Sequence, residues 1–164
     1  MTLKNKFGLL FLLFIVLTSC QNNVVFNAYQ PIAKAQWNNG EIVAIEIPIQ
    51  DTISNYDLFI NLRNNKDYPY SNIFLIARMS FPDRTQITDT LEYEMTDIKG
   101  NFLGSGFTDL KENKLYYKSN IRFPVAGTYL FEVKHAMRER NKIEGIDPLP
   151  GITDVGISIE QSKK

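Results

Sequence analysis

The chain has 164 residues, with 18 Lys and Arg against 18 Asp and Glu, one His, one Cys, 44% hydrophobic and 12% aromatic residues. Balanced charge without a basic block or stripe excludes an electrostatic nucleic-acid binder, and a single cysteine excludes an internal disulfide framework. The length is that of one domain able to bury a core without covalent staples.

The N-terminus reads as an address. Lys4 and Lys6 precede an uncharged run from Phe7 to Leu17, which ends at Leu17-Thr18-Ser19-Cys20. A basic start, an apolar stretch and small residues at a cleavage point make a secretory signal. The stretch is too short for an ordinary spanning helix of about 20 apolar residues. Its last four residues resemble the lipobox of bacterial lipoproteins. Thr18 and Ser19 are small enough for a peptidase groove, and the Cys20 thiol is the side chain that can be alkylated to a diacylglyceryl thioether. The expected layout is a cleaved signal over 1–19, a lipidated cysteine and short tether over 20–23, and one β-sandwich domain over 24–164. Both leader lysines leave with the signal, so membrane attachment has to come from lipid. Each buried methylene contributes about 0.8 kcal/mol, so one acyl chain is marginal and two or three are effectively permanent.

Next come segments of period-two alternation. Val24-Val25-Phe26 predicts a first strand or a docking segment. In 41–49, Ile45, Ile47 and Ile49 oppose Glu46 and Pro48, and Pro48 cannot donate to a ladder, which predicts an edge strand. In 56–63, Tyr56, Leu58, Ile60 and Leu62 share a face opposite Asp57, Asn61 and Arg63. The run 73–81 is apolar on nearly both faces and predicts a central strand. Leu91, Tyr93 and Met95 alternate with Thr90, Glu92, Glu94 and Thr96, and the strand ends in a turn signal at 97–101. Leu115, Tyr117 and Ile121 alternate with Tyr116, Lys118 and Arg122, then Pro124 and Gly127 bracket a turn into Tyr129, Phe131 and Val133, which predicts a hairpin. A short helix over 136–140, a Gly/Pro-rich loop and a last strand over 154–160 complete the chain. About eight strands without long amphipathic helices predict an all-β, antiparallel β-sandwich, with a jelly roll as one arrangement.

The chemistry-bearing residues do not form a catalytic constellation. His135 shares a face with Tyr129, Phe131 and Val133 and reads as a core or boundary residue, because a working histidine needs a partner. Asp83, Asp89, Glu92, Glu94 and Asp97 form the densest acidic stretch, but they lack the spacing of a calcium loop and read as a solvated face. No metal site, cofactor motif or catalytic residue is expected. Trp37, beside Asn38-Asn39-Gly40, leans towards the core. The loop 64–72 joins amide side chains to Tyr68 and Tyr70 across Pro69. Tyrosine offers apolar area with a polar tip, so Tyr68, Tyr70 and Asn72 either grip a sugar or a protein edge or cap the sandwich end.

Several segments in fixed order carry a resemblance: Asn61-Leu62-Arg63 with Asp67-Tyr68-Pro69-Tyr70-Ser71-Asn72, Phe123-Pro124 with Gly127-Thr128-Tyr129, His135-Ala136-Met137-Arg138, and Gly151-Ile152-Thr153-Asp154-Val155-Gly156. With the lipobox, they resemble the gliding motility lipoprotein GldH family of the Bacteroidetes. The resemblance implies a non-enzymatic envelope lipoprotein required for surface gliding and linked to type IX secretion, held in the membrane through lipid on Cys20. Its implied partners are other gliding or secretion proteins. Gln21 and Asn22 lack the acidic cluster that resembles a surface-export signal, so the expected place is the outer membrane facing the periplasm. An adaptor is the leading expectation. The alternative is a carbohydrate-binding module that contacts peptidoglycan or surface glycan.

Overall fold

Alternation in the sequence becomes one buried face per strand. The computed structural model describes residues 23–106 and 108–163, so the leader and the lipobox, Cys20 included, lie outside the described residues. The strands are β1 (Val24–Pro31), β2 (Gln36–Trp37), β3 (Val43–Ile49), β4 (Tyr56–Asn64), β5 (Asn72–Ser80), β6 (Gln86–Glu94), β7 (Lys111–Ile121), β8 (Gly127–His135), β9 (Leu149–Pro150) and β10 (Ile152–Gln161). Ile45, Ile47 and Ile49 of β3, Tyr56 to Leu62 of β4 and Tyr129 to Val133 of β8 enter one core through alternate positions. The outer-facing residues of β5 are only half-buried, so that strand is central without being covered on both sides.

Eight long strands form two four-stranded sheets, β1-β10-β4-β7 and β3-β8-β5-β6, and β2-β9 adds a two-residue ribbon. The pairings are nested and antiparallel: β1 with β10, β3 with β8, β4 with β7, β5 with β6. This is one long hairpin wrapped over itself, closed by β10 on β4 and β5 on β8. Such nesting is the jelly-roll form of the sandwich. β3 lies at a sheet edge, as Pro48 requires.

Two sequence expectations are corrected. β7 and β8 do not form a hairpin but lie in different sheets. The cause is aromatic packing: the Phe123 and Tyr129 rings meet edge-on at 4.9 Å, Phe81 sits 5.0 Å from Tyr129, and the Tyr129 hydroxyl donates to the Val125 carbonyl at 2.8 Å. That cluster fills the space between the sheets, so the turn arches across the core. The helix expected over 136–140 is absent as well. The Ala136 N–H donates to the Phe74 carbonyl at 2.8 Å, the Met137 carbonyl accepts from the Ile146 N–H at 2.9 Å, and Arg138 bridges Gly145. Sheet extension uses the groups a helix would need.

The nesting gives the sandwich two unlike ends. At one end β1 begins and β10 finishes, and the Gln161 N–H donates to the Asn23 carbonyl at 2.9 Å. The connections at that end, 50–55, 81–85 and 122–126, are short. The opposite end gathers 32–42, 65–71, 95–110 and 136–151. The ends are about 30 Å apart, the length of a nine-residue strand such as β5 at ~3.3 Å per residue.

Between β1 and β4, Gly156 leaves room for a close approach: a Cβ there would stand 2.3 Å from the Ala28 carbonyl oxygen and 2.8 Å from the Tyr29 ring. Gly156→Ala should therefore lower stability by roughly 1–3 kcal/mol through overpacking. The urea midpoint reads this directly, and an unchanged midpoint contradicts the packing described.

Candidate functional site

The long-loop end is where sequence places the contact residues, and its core shapes what they can do. In the β4–β5 loop, the Asn65 side-chain oxygen accepts the Asp67 N–H at 2.9 Å, while the Asn65 N–H donates to the Gly151 carbonyl at 2.9 Å. This turn pushes Tyr68 inwards. Its ring is 3% exposed, and its hydroxyl donates to the Asn72 carbonyl at 2.6 Å. Burial raises the Tyr68 pKa well above that of an ordinary phenol, with the neighbouring Tyr70 adding to the shift. Gly151 makes the close fit possible. It holds φ +87°, and a Cβ would lie 2.2 Å from the Tyr68 nitrogen.

The three expected contact residues thus separate. Tyr68 packs in the core and presents no ring to solvent. Tyr70 is half-buried, edge-on to Tyr68 at 5.8 Å, and borders a trough with Glu139, Lys142, Ile146 and Pro148. Asn72 donates to the Glu92 carboxylate at 2.7 Å and borders a second trough with Glu94, Asp97, Ile98 and Leu103. Both troughs are shallow and mix charged with apolar groups, a composition suited to a protein edge. Ile98 and Ile143 stand exposed on the flanking loops. Sequence reading passed over them because they sit among turn residues. A large apolar side chain inside an otherwise polar turn was the available signal.

The Ile98 turn is built around Asp97, whose carboxylate accepts the N–H groups of Lys99 at 2.8 Å and Asn101 at 2.9 Å and the Asn101 side-chain amide at 2.9 Å. These hydrogen bonds, led by the Asn101 side chain, hold the Asp97 carboxyl below its ordinary pKa. Two further residues of the acidic stretch are also engaged. Asp89 accepts the Tyr117 hydroxyl at 2.9 Å and pairs with Lys118 at 2.9 Å, and Asp83 caps its own turn through the Thr85 N–H. Among the described residues no three His, Cys, Asp or Glu side chains converge on one point as a metal site requires.

His135 and Trp37 lie beneath this end. Trp37 is fully buried, donates from its indole N–H to the Glu41 carbonyl at 3.0 Å, and meets the His135 ring edge-on at 5.3 Å. His135 is 1% exposed, and neither ring nitrogen has a hydrogen-bond partner of good geometry. Burial lowers its pKa, opposed more weakly by the nearby Asn38 and Trp37 backbone and by Asp147 and Glu41. It is a buried core residue whose surroundings favour the neutral imidazole.

Paired β1 and β10 ends at one pole and long loops of mixed polarity at the other place the described residues in the class of antiparallel jelly-roll sandwich domains. Comparison with known proteins narrows this class. The family described as GldH lipoprotein matches residues 24–159. The gliding motility lipoprotein GldH of Flavobacterium johnsoniae is 44% identical over 161 residues, covering 98% of this chain and 99% of the relative. A GldH homolog of Christiangramia forsetii is 43% identical over 162 residues, with the same coverage. The chain belongs to the GldH lipoprotein family. Among solved structures, the infectious bursal disease virus VP2 subviral particle shows a likeness with TM-score 0.36 and 14% identity over 83% of this chain; this chain spans 33% of the VP2 chain.

Two predictions follow from the distal core. Tyr68→Phe removes one buried hydroxyl donor and should cost about 1 kcal/mol, whereas Tyr68→Ala should cost roughly 3–5 kcal/mol. Chemical denaturation separates the two, and equal costs would show that the ring is not packed. The second concerns pH. The folded-state pKa of His135 lies below the unfolded value, so as pH falls the unfolded chain takes up the proton first. Stability from this group is complete above about pH 6.5 and declines below it, by at most about 1.4 kcal/mol per pH unit. Urea midpoints at pH 7.5 and 5.5 should differ less in His135→Phe than in the parent chain; identical differences would remove His135 as the cause.

Proposed function

We propose that this gliding-motility lipoprotein acts as a non-enzymatic adaptor, held to the envelope by acyl chains on Cys20 and offering its long-loop end to another component of the gliding machine. One observation carries the reading: the first and last strands pair at one end of the sandwich, so the segment leading back to Cys20 leaves from the end opposite the long loops. Only Gln21, Asn22 and Asn23 separate Cys20 from β1, a reach of about 14 Å at most from Cys20 to Val24. The domain then sits close against the bilayer with its distal loops facing outwards from it. Confinement at the membrane raises effective concentration, so the two shallow troughs suffice for a modest interface. The place we favour is the outer membrane with the domain in the periplasm, within reach of the type IX secretion machinery.

Two measurements test the proposal. Cys20→Ala should release the protein from washed membranes; full retention would remove the anchor. Photo-cross-linkers placed at Ile98 and Ile143 in living cells should capture an envelope protein, while one at Ile53, on the opposite end, should not. Adducts at Ile53 alone would reverse the assigned orientation.

A further inference from the structure

The short-loop end holds a cavity that the adaptor reading does not use. β6 and β7 are each an edge strand of their sheet and face each other along one side of the sandwich. Near their middle they are pinned together: the Tyr93 hydroxyl donates to the Tyr116 carbonyl at 2.7 Å, and Asp89 holds both Tyr117 and Lys118. Below these pins the edges part. The gap opens into a cavity of about 310 Å³ walled by Leu58, Met79, Phe81, Ile87, Ile121 and Phe123. That volume is at the lower end of the roughly 300–1,000 Å³ typical of ligand sites. Leu58, Met79 and Phe123 form a buried floor, whereas Ile87 at the mouth is 43% exposed. A cavity so lined gives water few partners and favours an apolar occupant.

Its polar lining is the buried Tyr117, whose hydroxyl is taken by Asp89, and two cations, Lys118 and Arg122. Lys118 is neutralised by Asp89. Arg122 is exposed, its Nε donates only to the Asn55 side-chain oxygen at 2.8 Å, and among the described residues no carboxylate pairs with it. The guanidinium therefore has donors to spare for an anionic headgroup. The location selects the source of such a molecule. Three strand spacings, about 14 Å, separate β1 from β7 in the same sheet. The cavity mouth thus opens at the end from which the chain leads back, within three residues, to Cys20.

We infer that this cavity takes one acyl chain of an anionic bilayer lipid, with the headgroup on Arg122. The inference rests on the anchor reading for its supply of lipid. It adds a second, non-covalent hold that fixes which side of the sandwich lies on the membrane: the open β6–β7 side at the short-loop end.

The methionines supply built-in reporters, since Met79 lines the cavity while Met95 and Met137 lie at the far end. The full lipidated chain, carrying methyl-labelled methionine, is placed in phosphatidylcholine nanodiscs doped with phosphatidylglycerol that bears a nitroxide near the end of one acyl chain. The Met79 methyl signal should broaden selectively, Ile87→Trp should restore it by filling the mouth, and Arg122→Gln should lose most of the effect. The same label on phosphatidylcholine should act more weakly. If Met79 stays as sharp as Met95 and Met137 while the protein co-elutes with the discs, the cavity holds no bilayer lipid, and the inference fails with the anchor intact; a Met79 signal that then moves on removal of the Cys20 lipid assigns the cavity to the protein's own acyl chain. Broadening that survives Ile87→Trp overturns it too, because the label then acts from outside. A chain that fails to co-elute defeats the anchor reading, and the cavity is then read with dodecanoate added to that chain: a Met79 shift supports acyl binding, and its absence ends it.

Discussion

The pairing of the first long strand with the last is the constraint on which the molecule's sidedness depends. Among the described residues β1 pairs with β10, and that contact holds Asn23 at the same end of the sandwich as Gln161. Were β1 free, the polypeptide between Asn23 and the core could extend. With it paired over Val24 to Pro31, Asn23 is held at one end of the sandwich, and the proposed anchor would make that the membrane-facing end. Gly156 is part of this device. It sits on β10 opposite Tyr29, and the absence of a side chain lets β1 approach closely enough for the Tyr29 hydroxyl to reach Glu112 at 2.8 Å and its ring to lie 4.2 Å from the Arg63 guanidinium.

The individual strands were legible because each buries one face. Ile45, Ile47 and Ile49, or Tyr56, Leu58, Ile60 and Leu62, announce a pleated strand by spacing alone, and Pro48 marks an edge. What alternation cannot encode is which sheet receives a strand. β7 and β8 look like a hairpin because Phe123-Pro124 and Gly127 make a turn. Only the rings of Phe81, Phe123 and Tyr129, distant in sequence and adjacent in space, show that the turn crosses between sheets. The missing helix near Ala136 has the same origin: its backbone groups are claimed by Phe74 and Ile146, which no local pattern reveals.

The candidate contact loop was legible as a place but not as a set of surfaces. Two tyrosines around a proline signal a shaped loop, yet the hydroxyl of Tyr68 finds the Asn72 carbonyl and its ring finds the core, while the exposed apolar groups belong to Ile98 and Ile143. The two tyrosines, two positions apart, thus differ in burial: Tyr68 is in the core and Tyr70 half-buried against it. Composition gives the materials of an interface. Long-range packing decides which of them face outwards.

The two ends of the sandwich are built differently. The long-loop end carries the irregular backbone of residues 95–110 and 136–151, supported by the fully buried Trp37 and Leu149 beneath it. The short-loop end ties its connections tightly: Asp51 accepts the N–H groups of Ile53 and Ser54, and the Asn55 and Asn120 side chains bond across from one loop to the next strand at 2.7 Å. On the proposed anchor, the hydrogen-bonded short-loop end would fix the core relative to the lipid, and the long loops would offer surface at the opposite end. On the proposed adaptor role, strand order would belong to the mechanism, because the nested pairing sets the long loops at the end opposite Asn23 and so would decide where a partner stands.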